Sequence, residues 1–252
     1  MPIWFAPKLR PLALAAAMAC GALPLAAPAR ADIAPPQKAE IEKIVHDYLI
    51  ANPEVIRDAI EELERRQKVA EADSRRAAVT KTADKLFNSA KQAVIGNPSG
   101  DVTLVEFFDY NCGYCKRALD DVAKLIEADP KLRVVLKDFP VLGAGSTDAA
   151  EVATALRLQL KPEKFYQFHR KLLATRGQIG RAQAIAVAKE LGADMDRLEK
   201  DAKSKEVHEA IKESMELADG LNLTGTPSWV IGEDVVIGAV GYQQLKGKID
   251  NT

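Results

Sequence analysis

The chain has 252 residues, 47% of them apolar and 28% charged, with 15 Gly and 13 Pro, a globular composition that excludes a disordered or collagen-like chain. Its formal charge is −1, and residues 1–31 carry Lys8, Arg10 and Arg30 but no acid, so the remainder is mildly acidic and has no bulk attraction for nucleic acid or anionic lipid. Cys20, Cys112 and Cys115 are too few for a disulfide scaffold, and His46, His169 and His208 are too dispersed to complete a metal site.

Lys8 and Arg10 precede an uncharged stretch from Pro11 to Ala29, most apolar between Leu12 and Leu25, that ends on Ala29-Arg30-Ala31 before Asp32. A basic start, an apolar middle and an Ala-x-Ala end are the layout of a secretory signal peptide, so residues 1–31 are expected to be removed after Ala31. A retained membrane anchor is opposed by Pro11, Pro24 and Pro28, and lipidation at Cys20 by the preceding Ala17-Met18-Ala19. The mature chain then has one cysteine pair in an oxidising compartment.

From Ile33 to about Ile95 the pattern is helical. Ile41, Ile44, Val45, Tyr48 and Leu49 form one apolar stripe, Asn52-Pro53 reads as a helix start, and Val55, Ile56, Ala59, Ile60 and Leu63 form the next stripe. Glu64 to Lys85 is polar and Ala-rich, a helical or flexible spacer. Leu86, Phe87 and Val94 resume a weak stripe before the turn residues Gly96-Asn97-Pro98-Ser99-Gly100. Such narrow stripes cannot sustain a fold alone. Residues 32–95 are either an arm wrapped on the same chain or an oligomerisation module.

Val102 to Phe108 is β-branched and aromatic, as a buried central strand requires, and Leu132 to Leu136 is a second such strand. Between them Ala118, Leu119, Val122, Leu125 and Ile126 lie in helical phase. Residues 146–221 read as a helical block, with starts at Thr147-Asp148, Pro162 and Asp194 and stops at Gly177, Gly192 and Gly220. Trp229 to Ile231 and Val235 to Ile237 form a hairpin, and Leu245 and Ile249 mark a last helix. Phe165, Phe168, Leu172 and Trp229 are expected in the core, and His169, His46 and His208 are read as helix residues, not ligands.

Cys112-Gly113-Tyr114-Cys115 follows the first strand and opens the first helix. Unpaired N–H groups and the helix dipole favour the Cys112 thiolate there, and Cys115 is one turn away, close enough to close a reversible disulfide. The alternative, a static disulfide, closes too short a loop to stabilise much. Glu106, in the apolar strand, is expected to be desolvated with a raised pKa and to exchange a proton with Cys115. Asp109 is placed in the loop and treated as solvated. Thr226-Pro227 precedes the late strand, where a cis bond is compatible with the sequence.

The run Glu106 to Lys116, the later Lys137-Asp138-Phe139-Pro140 with Leu142-Gly143, the helical block and Gly225-Thr226-Pro227 resemble the DsbA branch of the thioredoxin superfamily. The resemblance implies an α/β thioredoxin fold over residues 96–252 with an inserted helical subdomain (146–221). It implies Cys112 as nucleophile, Cys115 as buried resolving thiol, a cis Pro227 facing the pair, peptide contacts from Thr226, Gly113 and Tyr114, and Lys137 as buried partner of Glu106. The Gly-Tyr dipeptide and the Thr before the proline are similar to disulfide isomerases of the DsbC type. Tyr114 supplies no cation to the thiolate, so a weaker oxidant than a Pro-His enzyme is expected.

The arm, from Ile41 to Leu63, is similar to that of the suppressor-of-copper-sensitivity C proteins, which implies a homotrimer built through the N-terminal helices. The resemblance implies a periplasmic disulfide isomerase or reductase acting on misfolded secreted proteins. No cofactor beyond the cysteine pair, no metal and no nucleic acid is expected. The expected redox partner is a membrane thiol reductase of the DsbD/ScsB type. A monomeric dithiol oxidase and a copper-tolerance protein holding Cu(I) on its two thiols remain the alternatives.

Overall fold

The computed structural model of the protein describes residues 34–252; the expected signal peptide (1–31) and Cys20 lie outside the described residues. The chain divides into two units, with the break between Ala59 and Ile60. In the first, helix α1 (Pro35–Ala51) begins on a pair of prolines, which need no intrahelical N–H partner there. It closes at Asn52, whose backbone N–H and side-chain Nδ2 both donate to the Tyr48 carbonyl. Helix α2 (Glu54–Phe87) starts directly after Pro53. No residue of α1 is buried, and its stripe of Ile41, Ile44, Val45 and Tyr48 is exposed.

The second unit runs from Ile60 to Thr252. After α2 come β1 (Ala93–Gly96), β2 (Val102–Phe108), α3 (Gly113–Ala128) and β3 (Leu132–Asp138). The helices α4 (Ala144–Arg157), α5 (Pro162–Ala174), α6 (Arg181–Glu190), α7 (Met195–Asp201) and α8 (Lys205–Gly220) follow, then β4 (Ser228–Ile231), β5 (Asp234–Ile237) and α9 (Tyr242–Ile249). The sheet order is β1-β3-β2-β4-β5, with β2 and β3 parallel and the other neighbours antiparallel.

Period-two alternation divides the core between the two faces of the sheet. Leu104, Phe108, Val134, Leu136, Trp229 and Ile231 pack with α3, α9 and the helical insertion. Val105, Phe107, Val135 and Val230 pack with Val79 and Leu86 of α2 and Leu217, Ala218 and Leu221 at the end of α8. This second cluster alters the expected division at residue 95. The spacer is one continuous helix, and its last turns cover a face of the sheet. Val79 is 2% exposed and Leu86 fully buried; most charged residues of the segment are exposed, but Arg75 donates to the Asn222 carbonyl and Arg76 pairs with Asp234. Ala93 to Ile95, expected in the helical stretch, and Gly96, expected as a turn residue, form an edge strand paired with β3; four residues are too few to reveal a period.

Candidate active site

The site lies where β2 ends and α3 begins. Asp109, expected to be solvated, is 2% exposed. Its carboxylate accepts hydrogen bonds from the backbone N–H of Asn111 (2.8 Å), Val141 (2.9 Å) and Leu142 (3.0 Å) and from Ser146 Oγ (2.7 Å). The bond to the N–H two residues on is an Asx turn, a signal that an Asp in a strand-to-helix turn offers in sequence. Asn111 ties the same turn to the helical insertion, donating from Nδ2 to the Ile179 carbonyl (2.8 Å) and accepting from the Ile179 N–H (2.7 Å). The segment carrying the cysteines is therefore anchored to both the β3–α4 loop and the insertion.

Cys112 is the N-cap residue of α3, in extended backbone, and both cysteines are present as thiols. The neutral Cys112 thiol donates to the Thr226 carbonyl at 3.2 Å, and the Thr226–Pro227 bond is cis. Once ionised, the sulfur accepts from the Cys115 thiol, the Thr226 side chain and the N–H groups of Cys115 and Tyr114, which bring its pKa down to about 5. Cys115 is fully buried. Burial, the bond it gives to Cys112 and the charge of Glu106 push its pKa far up. The two thiols three residues apart are thus separated into one that is anionic at neutral pH and one that is not.

Glu106 is 2% exposed, flanked on the sheet by Leu136 and Trp229. Burial, then the charge of Cys112, raises its pKa to about 8, as expected of a carboxyl among apolar strands. The expected pairing with Lys137 is not formed. In the parallel register Glu106 stands beside Leu136, and Lys137 beside Phe107, so the two side chains leave opposite faces; one residue of register reverses the face. Lys137 instead donates to the Lys85 carbonyl at the end of α2 (2.7 Å) and lies 3.9 Å from Glu213. Burial lowers its pKa to about 8 although Glu213 opposes this. Lys137 is thus an anchor for α2, not part of the redox pair's surroundings.

A second carboxyl, which nothing in the sequence singles out, lies on the Glu106 face. Asp138 accepts from Thr154 Oγ1 (3.3 Å), and burial pushes its pKa up to about 7. Tyr110, whose hydroxyl lies 3.3 Å from His169 Nδ1, packs edge-on against Phe108. Burial holds His169 neutral with a pKa of about 3, as befits a core histidine. Trp229 is fully buried and donates from Nε1 to the Gly238 carbonyl (2.9 Å).

Around the cysteines the surface is apolar and open. Tyr114 is 59% exposed, Leu142 50% and Val141 43%. A side-chain carbon on Gly113 would meet nothing within 4 Å, so a chain can approach Cys112 from that side. Among the described residues no group of three or more His, Cys, Asp or Glu is placed to hold a metal ion, and no helix is long and apolar enough to cross a membrane.

Residues 103–250 match the family described as DSBA-like thioredoxin domain. The chain belongs to the DsbA-like thioredoxin family. Its scaffold is accordingly that of the thiol–disulfide oxidoreductases. Residues 37–70 match a second family, the copper resistance protein ScsC N-terminal domain. The chain is similar to a thioredoxin-like oxidoreductase from Silicibacter pomeroyi, with 43% identity, 67% of this chain and 95% of that chain covered and a TM-score of 0.63. It is also similar to Proteus mirabilis ScsC in a transitional conformation, with 28% identity, 86% and 96% covered and a TM-score of 0.62. Among curated relatives it resembles a Na(+)/H(+) antiporter NhaA 1 of Salinispora arenicola, 29% identical over 140 residues and 55% of this chain. The chain spans about a fifth of that relative's length (21%).

Proposed function

We propose that this DsbA-like protein is a periplasmic thiol–disulfide exchange enzyme that acts on misfolded secreted proteins as an isomerase or reductase. The observation that carries the reading is the division of labour within the cysteine pair: Cys112 with a pKa near 5 and Cys115 fully buried with its pKa raised.

The Cys112 thiolate attacks one sulfur of a substrate disulfide. A mixed disulfide forms, and the other substrate sulfur leaves as thiolate. In isomerisation a substrate thiolate then attacks its own sulfur in that bond and expels Cys112, with no net electron transfer. In reduction Cys115 attacks Cys112, the substrate leaves with both electrons, and the Cys112–Cys115 disulfide forms. Cys115 must lose its proton for this step. Part of the raised pKa of Glu106 comes from the Cys112 charge, and that charge vanishes in the mixed disulfide. Loss of that charge lowers the Glu106 pKa, so more of the carboxyl is ionised and free to take a proton at the stage where Cys115 must lose one. The Thr226 backbone, Gly113, Tyr114 and cis Pro227 border the sulfur and receive the substrate chain.

The arm is read as the homotrimerisation element. Its support is the uncovered stripe of Ile41, Ile44, Val45 and Tyr48 together with the ScsC-type match at residues 37–70. Several exchange sites on one stalk raise the effective concentration on a single misfolded chain. Isomerisation requires Cys112 to stay reduced, which assigns the partner role to a membrane thiol reductase of the DsbD/ScsB type. The test is refolding of a scrambled multi-disulfide protein by the reduced full chain. Recovery of native pairing supports isomerase action. Efficient oxidation of reduced peptides without reshuffling would identify a dithiol oxidase instead.

A further inference from the structure

We propose that Arg117, held against the ring of Tyr114, selects substrates that carry a carboxylate beside their reacting cysteine. The inference rests on the exchange reading above and adds a substrate preference to it. The Arg117 guanidinium lies over the Tyr114 ring, 4.2 Å from its centroid. Tyr114 stands between the two cysteines and is 59% exposed, so a chain whose sulfur reaches Cys112 passes close to this ring and its cation.

Helix stability does not account for the placement. A cation near the start of a helix is opposed by the dipole, and the first turn of α3 carries no acid to offset it. Asp120 and Asp121 stand three and four residues further on, at the spacing where helical ion pairs form, yet among the described residues Arg117 pairs with neither. Its side chain leans toward the helix start, as helical side chains do. A guanidinium lying on an aromatic face keeps its N–H edge available for a carboxylate.

Asp120 and Asp121 lie further along α3, away from Cys112; of the charges in and around its turn, some are engaged and others add to the positive sign. Lys116 donates to the Thr175 carbonyl at 2.8 Å, while the next residue, Arg176, is exposed. Asp109 is saturated by its four donors, and Glu106 is buried. The accessible charge beside Cys112 is therefore positive, next to the apolar Val141 and Leu142.

The experiment compares two peptides identical except for Asp or Lys next to a single cysteine, each capped as a mixed disulfide with 2-mercaptoethanol. Attack by Cys112 forms the Cys112–peptide disulfide and releases mercaptoethanol thiolate, with no net oxidation. Rates for the reduced full chain are measured by quenched-flow mass spectrometry. Each is divided by the same variant's rate with uncharged hydroxyethyl disulfide, so changes in Cys112 reactivity cancel. The wild type is expected to favour the Asp peptide about three-fold at low salt, the size of an exposed ion pair. R117E is expected to invert the preference, R117K to retain part of it, and 1 M NaCl to abolish it. A ratio of one in the wild type, or a wild-type ratio in R117E, would overturn the proposal. Failure of the wild type to react with either peptide or with hydroxyethyl disulfide would overturn the exchange reading itself, and this inference with it.

Discussion

Glu106 and Lys137 stand on adjacent parallel strands one register step apart, which sends the carboxyl toward the cysteines and the ammonium toward α2. Two substitutions should therefore have separable effects. Glu106→Gln removes the proton acceptor for Cys115 and should slow the resolving step by roughly 10²-fold, within the range of acid–base assistance. It should leave the formation of the Cys112 mixed disulfide much less affected. Rapid-quench separation of the two steps checks this; equal slowing of both would show that Glu106 acts on Cys112 instead.

Lys137→Met should report on stability, with a pH dependence set by the lowered pKa of the lysine. The folded state releases the Lys137 proton near pH 8, whereas the unfolded chain holds it to about 10.4. Between those values the unfolded state binds more protons, so this lysine makes the wild type gain stability as pH rises. The difference in urea midpoint between wild type and K137M should shift in favour of the wild type from about pH 8 to about pH 10. A difference constant over that window would mean that Lys137 ionises as an ordinary lysine.

For reduced Cys112 the sign comes from a lowered acid pKa. The folded thiol ionises near pH 5 and the unfolded one at about 8.5, so the stabilisation is complete above the unfolded value and is lost as pH falls through 5. Cys112→Ser should remove that pH dependence of stability. Alkylation by iodoacetamide, followed by mass spectrometry, should label Cys112 with a midpoint near pH 5 while native Cys115 stays unmodified. A midpoint at the ordinary thiol value would remove the basis of the proposed function.

The sequence made the redox-bearing half of the fold legible because its strands are long and apolar and its helices begin and end at recognisable residues. Asp194, for example, caps α7 by accepting from the Arg197 N–H. Less was legible where tertiary packing overrides local pattern. The second half of α2 reads as a polar spacer because Val79 is isolated among charges and Leu86 belongs only to a weak stripe; the sheet they cover reveals their role. Glu106 could be placed by its apolar neighbours, but the partner of Glu106 depended on the register of β2 against β3, which no single strand encodes. Asp109 is the converse case, a polar loop residue buried because its oxygens meet backbone N–H groups brought in from the β3–α4 loop.

That division of α2 makes a deletion series informative. Removal of the arm through residue 59 takes away the exposed stripe of α1 together with Val55 and Ile56, and leaves Val79, Leu86 and β1 in place, with Ile60 and Leu63 still exposed. The shortened protein should fold, become monomeric by sedimentation, keep its dithiol chemistry and lose isomerisation. Removal through residue 95 also strips Val79 and Leu86, each contributing about 1.5–3 kcal/mol, and the edge strand with its buried Ala93 and Ile95. That protein should be unfolded or strongly destabilised. If the chain lacking residues up to 59 stays oligomeric, the arm is not the assembly element.

Asp109 offers a last separation, between the reactivity of the sulfur and the surface that presents it. Its carboxylate holds the N–H groups of Val141 and Leu142 and the hydroxyl of Ser146, and so fixes the exposed apolar residues beside the cysteines. Asp109→Ala leaves the buried Ser146 hydroxyl without this acceptor, at about 1–3 kcal/mol if it stays unsatisfied, and frees the part-buried N–H groups of Val141 and Leu142. The thermal midpoint should fall, and the Val141–Leu142 loop should lose order. Asp109 is absent from the groups that lower the Cys112 pKa, so the iodoacetamide pH profile of the folded variant should keep its midpoint while the KM for a protein substrate rises. A shifted midpoint with an unchanged KM would place Asp109 in the ionisation of the thiol and not in the support of the docking surface.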